Sequence, residues 1–277
     1  MVIYTEQEQH TVILPLLKKF HQWHKVGKTN LISIQGGQGT GKTTLVNFLQ
    51  EVLGRAGYKV TSFSIDDFYT SWKERQRLTK KYPHNPFYQI SRGLPGTHRV
   101  KLLKKVLENL KSGKTTEIPI FDKSLHNGAG DIAKSTKKIS EPQDFILFEG
   151  WCLGLPVVSA DEVKKICQRE KINLKKLDAS LQHAKVVLQF TKSYQPLWKF
   201  IDKLIQLKPS SSDLHLKWRL QQERELKKKK GTGMSREQVE KFVEPYLPFT
   251  YVCYEKVKPD VRILIDKKHK MYGMEEE

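Results

Sequence analysis

The stretch that decides the fold is Gly36-Gly37-Gln38-Gly39-Thr40-Gly41-Lys42-Thr43, which fits G-x-x-x-x-G-K-[ST]. It follows a β-branched apolar run, residues 31–35 (LISIQ), and leads into a helical pattern over residues 44–53. Strand, Gly-rich turn and helix, in that order, is the context in which this motif cradles phosphate. The glycines let the backbone curl so that successive N–H groups face one point, and the opening helix adds its positive end. Lys42 is placed to reach the outer phosphates of a nucleotide, and the Thr43 hydroxyl to ligate Mg²⁺. The expected ATP-binding set is therefore Gly36, Gly37, Gln38, Gly39, Thr40, Gly41, Lys42, Thr43 and Thr44.

Outward from this loop, short β-branched runs alternate with longer helical patterns, which predicts a parallel α/β sheet. Residues 31–35 are the first expected strand, 58–65 (YKVTSFSI) the second and 145–148 (FILF) the third. Residues 184–190 (AKVVLQF) and 261–265 (VRILI) read as the fourth and fifth. These nearly unbroken apolar runs suit strands covered on both faces. A leading helix is expected over 12–24 and another over 100–110. Residues 72–96, with Pro83, Pro86 and Pro95, predict an irregular excursion, and 127–136, with Gly128 and Gly130, a polar loop. Residues 213–246 are charged and mostly helical, broken at Gly231-Thr232-Gly233. The expectation is one domain over 1–277: a P-loop NTPase fold with a central parallel five-stranded sheet flanked by helices. Acceptor loops at about 70–99 and 121–136 and a basic helical lid at about 213–246 complete it.

The chain has 277 residues, 38% hydrophobic and 29% charged, enough for a real core. Lys and Arg number 49 against 30 Asp and Glu, a formal charge of +19. That bias attracts anions, nucleotides and phosphorylated metabolites included, but a solvated lysine-rich surface explains it more simply than a nucleic-acid surface. No nucleic-acid partner is expected. Cys152, Cys167 and Cys253 form no Cys-x-x-Cys pair, which speaks against a disulfide framework or a structural zinc. The polar start of the chain resembles no signal peptide, and no apolar run reaches spanning length, so a cytoplasmic protein with no membrane partner is expected.

A phosphate loop binds nucleotide without naming the reaction; acidic groups at neighbouring strand ends do that. The second strand ends in Ser64-Ile65-Asp66-Asp67-Phe68-Tyr69 and the third in Phe148-Glu149-Gly150-Trp151. Phosphoryl transfer to an alcohol needs a carboxylate for the hydroxyl proton and a cation on the transferred group. Asp66, Asp67 and Glu149 can supply both needs, although a helix cap is an equal reading of Asp67.

At these residues the chain resembles the uridine kinase, phosphoribulokinase and pantothenate kinase superfamily. More narrowly, Arg92-Gly93-Leu94-Pro95-Gly96-Thr97-His98 is similar to the RGLPGTHD signature of plant, cyanobacterial and fungal-type D-glycerate 3-kinases. Phe121-Asp122-Lys123-Ser124 with Gly128-Ala129-Gly130-Asp131 resembles that group's YDKS…GxGD. Glu149-Gly150-Trp151-Cys152-Leu153-Gly154 resembles its EGWxxG, and Trp218-Arg219-Leu220-Gln221-Gln222-Glu223 its WRLQQE. The resemblance implies Asp66 as catalytic base, Glu149 with Thr43 near Mg²⁺, and Arg219, with Lys42, on the transferring phosphate. It implies acceptor contacts from Asp67, Tyr69, Arg92, His98, Asp122 and Lys123, with Arg92 and Lys123 suited to clamping a carboxylate.

The signature's final Asp is Arg99 here. Either Arg99 points to solvent or a neighbour compensates for it, or the substrate is shifted toward one more anionic than glycerate. The favoured function is ATP-dependent phosphorylation of a small-molecule hydroxyl, D-glycerate first. Another small alcohol (a nucleoside or a pantothenate-like compound) and a nucleic-acid-associated NTPase stand as alternatives. The run 227–230 (KKKK) beside the lid reads as a solvated helix end.

Overall fold

A computed structural model describes residues 4–89, 92–230 and 233–276. Six strands form the main sheet in the order β2-β5-β1-β6-β7-β8. They are β1 (Asn30–Gly36), β2 (Val60–Ser64), β5 (Phe145–Gly150), β6 (Lys203–Pro209), β7 (Val261–Ile265) and β8 (Met271–Glu276). The first five in that order run parallel, and β8 pairs antiparallel with β7. A separate antiparallel hairpin joins β3 (Thr116–Asp122) to β4 (Asp131–Ile139).

The sheet is covered on both faces, as its apolar runs require. Along β5, Ile146 and Phe148 enter one core while Phe145 and Leu147 enter the other, and all four are fully buried. Such alternation is the two-residue period of a strand buried on both sides, each apolar side chain contributing about 1.5–3 kcal/mol. Helix Lys42–Arg55 lays Leu45, Val46, Leu49 and Leu53 on one face, and helix Val100–Lys111 lays Leu103, Val106, Leu107 and Leu110 on the other. The leading helix is Leu14–Trp23, preceded by a π-helical turn over Gln9–Ile13.

Four expected strands stand where the sequence places them, and one does not. Residues 184–190 lie inside helix Gln182–Thr191. Its buried residues, Ala184, Val187, Leu188 and Thr191, fall at helical spacing, so the β-branched pair Val186-Val187 is overridden by a stripe that packs as a helix. The fifth parallel strand is instead β6, and the antiparallel β8 makes the sheet six-stranded. The excursion 72–96 contains a regular helix, Trp72–Lys81, started by a Ser71–Glu74 capping box. The polar loop at 127–136 gives way to β4 from Asp131 onward. In the charged region, Leu214–Lys230 and Arg236–Val243 are helices, and the expected break at Gly231 and Thr232 lies outside the described residues.

Candidate active site

The strand order decides what meets the phosphate loop. β5 sits between β1 and β2, and its register aligns Glu149 with Ile34 on one side and Ser64 on the other. Asp66, just past β2, and Glu149, near the end of β5, therefore reach the same sheet edge as the loop following β1. There they line one cleft of about 920 Å³ together with Lys42, Thr43, Lys123 and Arg219.

Within this cleft each acidic group already has a partner. Thr43 Oγ1 donates to Glu149, at 3.1 Å from Oε1 and 3.0 Å from Oε2. Lys123 Nζ lies 2.8 Å from Asp66 Oδ2, and the Tyr69 hydroxyl donates to Asp66 Oδ1 at 2.8 Å. Burial raises the Asp66 pKa, but the Lys123 ammonium and the Tyr69 hydroxyl more than offset it, so the carboxyl ends below its usual range. Arg219 pairs with the nearly buried Glu223 and stands over the Phe242 ring at 5.2 Å. Lys42 folds back on the loop, donating to the Gly37 carbonyl at 2.9 Å, and burial lowers its pKa despite Glu149 and Asp66.

Other expected site residues have structural partners. Asp67 Oδ2 accepts from the Ser64 backbone N–H at 2.9 Å, closing a capping box around the turn Ile65–Phe68, and burial raises its pKa. Asp122 Oδ1 accepts from the Ser124 hydroxyl at 2.6 Å and the Ser124 N–H at 2.8 Å, bonds that hold its pKa low and its turn in shape. His98 is buried beneath Tyr69, with ring centroids 4.5 Å apart, and its Nδ1 lies 2.8 Å from the Tyr194 hydroxyl. Burial pushes its pKa down to about 4. None of these three lines the cleft, whereas Tyr69, Arg92 and Lys123 do. Arg99 caps helix Val100–Lys111 and donates to the Asp67 carbonyl at 3.4 Å, outside the cleft lining. Its cation therefore stands apart from the cleft that Asp66 and Lys123 line.

The two segments expected as acceptor loops are joined by Arg75, which sequence reasoning passes over, and by Arg92, which it assigns to the acceptor. Buried Arg75 donates to the Thr70 carbonyl, to Ala129 O at 2.8 Å and to Gly130 O at 2.5 Å, and stands 5.0 Å over the Phe121 ring. Arg92 donates to Gly128 O at 2.7 Å and Ala129 O at 2.9 Å. Trp151 Nε1 donates to Gly93 O at 3.0 Å and the Tyr246 hydroxyl to Arg92 O at 2.5 Å, pinning the 92–98 loop to β5 and the helical region behind it. Behind the phosphate loop stand His215, Trp218, Tyr254 and His269; of these only Trp218 belongs to a motif read from the sequence. All three cysteines are buried and free, and no described helix is long and apolar enough to cross a membrane.

A phosphate loop facing two carboxylates across neighbouring parallel strands, with cations on both sides, defines a P-loop phosphotransferase. The chain belongs to the phosphoribulokinase / uridine kinase family, whose model matches residues 31–165. It is a kinase, an ATP-dependent phosphotransferase with an alcohol acceptor. An uncharacterized kinase of Schizosaccharomyces pombe is 36% identical over 87% of this chain and 86% of its own length. The chloroplastic D-glycerate 3-kinase of Arabidopsis thaliana is 34% identical over 81% of this chain, which spans 47% of that longer protein. The structure of D-glycerate 3-kinase from Cryptococcus neoformans superposes with a TM-score of 0.83 at 28% identity, covering 99% of this chain and all of that one.

Proposed function

We propose that this kinase transfers the γ-phosphate of ATP to a hydroxyl of D-glycerate. The observation that carries the reading is the Lys123 ammonium, 2.8 Å from Asp66 in the cleft that Arg92 also lines. An acceptor bearing a hydroxyl on one carbon and a carboxylate nearby would meet a base and a cation at matching separation. Similarity to D-glycerate 3-kinases of plant and fungal origin points the same way.

In this reading Asp66 accepts the hydroxyl proton while the oxygen attacks the γ-phosphorus, and the bond to the bridging oxygen of ADP breaks. Lys42 turns from the Gly37 carbonyl to the β- and γ-phosphates, and Arg219 neutralises charge on the transferring group from above. Gly36 through Thr44 cradle the nucleotide. Mg²⁺ fits the oxygen donors of Thr43 and Glu149 and would neutralise phosphate charge there. Among the described residues no cluster of three or more His, Cys, Asp or Glu side chains is placed to hold a metal, so Thr43 and Glu149 would share the ion with the nucleotide. Asp67, His98 and Asp122 shape the acceptor wall rather than touch the acceptor. The whole chain acts as one domain in the cytoplasm, where reduced buried cysteines are at home, with residues 213–246 as its lid.

A coupled ADP-release assay with ATP and Mg²⁺ tests this against D-glycerate, pantothenate, uridine, ribulose 5-phosphate and single-stranded RNA. Stimulation by D-glycerate above the others is expected. Turnover only on another alcohol would sink the acceptor assignment and keep the kinase; stimulation by RNA alone would favour the nucleic-acid-associated NTPase.

A further inference from the structure

Two histidines outside the phosphate-loop motif touch two consecutive carbonyls of that loop. His215 Nδ1 lies 2.8 Å from Gln38 O, and His269 Nε2 lies 2.8 Å from Gly39 O. A carbonyl oxygen only accepts, so each contacting nitrogen must carry its proton: Nδ1–H in His215 and Nε2–H in His269. We infer that His215 and His269 are positioning residues for nucleotide binding, which hold the Gln38 and Gly39 carbonyls away from the phosphates so that the loop's N–H groups face them.

The physical need is specific to this loop. Each peptide unit has one donor and one acceptor on opposite sides. A nest of inward N–H groups therefore presents outward carbonyls that require partners of their own. A carbonyl that swung inward would place negative charge beside the phosphate oxygens.

Both histidines are held from elsewhere. His215 is buried, and its ring lies so close to Gly37 that a Cβ there would come within 2.2 Å of its Cε1. Burial pushes its pKa down to about 4, so it is neutral at physiological pH. His269 sits in the β7–β8 turn at φ +60, a left-handed conformation that a non-glycine residue adopts only under constraint. The Asp266 side chain supplies that constraint by accepting from the N–H groups of Lys268 and Lys270 at 2.7 and 2.9 Å. Buried Glu8 fastens the next residues, accepting from Met271 N at 3.2 Å and pairing with Lys270 at 3.4 Å. The His269 ring also stacks on Trp218, with centroids 4.1 Å apart and planes at 28°, next to Arg219 on helix Leu214–Lys230. Two separate parts of the chain, helix Leu214–Lys230 and the β7–β8 turn braced by Glu8, thus converge on the outer side of the loop.

The inference rests on the phosphate loop binding nucleotide, so the test starts with calorimetric titration of the full chain with ADP and Mg²⁺. His269→Phe keeps an aromatic ring for Trp218 and removes the donor. Its Kd for ADP should rise roughly five- to tenfold, the worth of one ordinary hydrogen bond. His269→Gln, whose amide nitrogen can stand in for Nε2–H, should return the Kd to within about twofold of wild type. The KM for the hydroxyl acceptor should not move in either variant. An unchanged Kd in His269→Phe, or equal losses in both variants, overturns the inference while leaving the nucleotide reading intact. A wild-type chain that takes up no ADP overturns both. ¹⁵N NMR of the histidine rings in wild-type protein is independent of how the variants fold: protons on Nε2 of His269 and Nδ1 of His215 are expected, and the opposite tautomer at either site refutes the assignment.

Discussion

Two glycines of the phosphate loop have similar backbone angles and different surroundings, which allows strain and crowding to be separated. Gly39 has φ +77 and Gly41 φ +87. A side chain in this region costs about 1–2 kcal/mol, and replacing Gly by Ala returns about 0.4–1 kcal/mol by restricting the unfolded chain. A Cβ at Gly41 meets nothing within 4 Å, so Gly41→Ala should cost about 1 kcal/mol and no more. A Cβ at Gly39 would lie 2.9 Å from Trp218 Cβ, an atom next to the backbone that no rotamer change can move, on a ring stacked against His269. Overpacking of this kind adds about 1–3 kcal/mol, so Gly39→Ala should lose about 2–4 kcal/mol. Urea unfolding of both variants without nucleotide measures this. The slopes should match wild type, the midpoint of Gly39→Ala should fall furthest, and its melting temperature should drop several degrees more than that of Gly41→Ala. Equal losses in the two variants would refute the claim that helix Leu214–Lys230 presses on the loop.

Asp66→Asn should keep ADP affinity and lose roughly two to four powers of ten in turnover, the usual worth of a general base, in single-turnover kinetics; a near-normal rate would remove Asp66 from that role. Because Lys123 and Tyr69 hold the Asp66 carboxyl below its ordinary pKa, wild-type turnover should lose this base only in strong acid. Lys123→Met leaves burial unopposed by that cation, so the acid limb of kcat should move to higher pH, with a raised acceptor KM. An unmoved limb would contradict the ion pair. His98 and His215, buried with pKa values near 4 against about 6.5 unfolded, bind protons preferentially in the unfolded chain between those limits. Stability from them is full above pH 6.5 and declines by up to about 3 kcal/mol each as pH falls toward 4, a slope that urea midpoints at pH 7, 6 and 5 should display and that Tyr or Phe at these positions should flatten.

The phosphate loop, β1, β2, β5 and β7 are legible because each is a short apolar run followed by the turn chemistry its function demands. β6 escapes notice because Lys203, Gln206 and Lys208 interrupt its apolar residues; Gln206 is buried only because it donates to Cys253 O at 3.3 Å and accepts from Arg262 at 2.9 Å. Residues 184–190 mislead for the opposite reason, since two adjacent valines outweigh a helical stripe that is plain only once Thr191 is counted. Hairpin β3–β4 hides behind Pro119 and the glycines of its turn. In the site, Asp66, Glu149, Lys42 and Lys123 could be found because strand ends and motifs mark them. Arg75, His215 and His269 could not: each acts through a backbone carbonyl supplied by a distant segment, and no local pattern records such a partner.

Arg75 has a mechanical consequence. Its guanidinium grips Thr70 in segment 70–99 and Ala129 and Gly130 in segment 121–136, and Arg92 ties the same two segments a second time. Moving either loop alone would leave the buried Gly130 carbonyl and the partly buried Thr70 and Ala129 carbonyls without these donors, so the two loops are held as one wall. The Tyr246 hydroxyl, donating to Arg92 O at 2.5 Å, fastens the same loops to the helical region that carries Phe242. A change in the shape of this cleft wall would then require altering both loops in step.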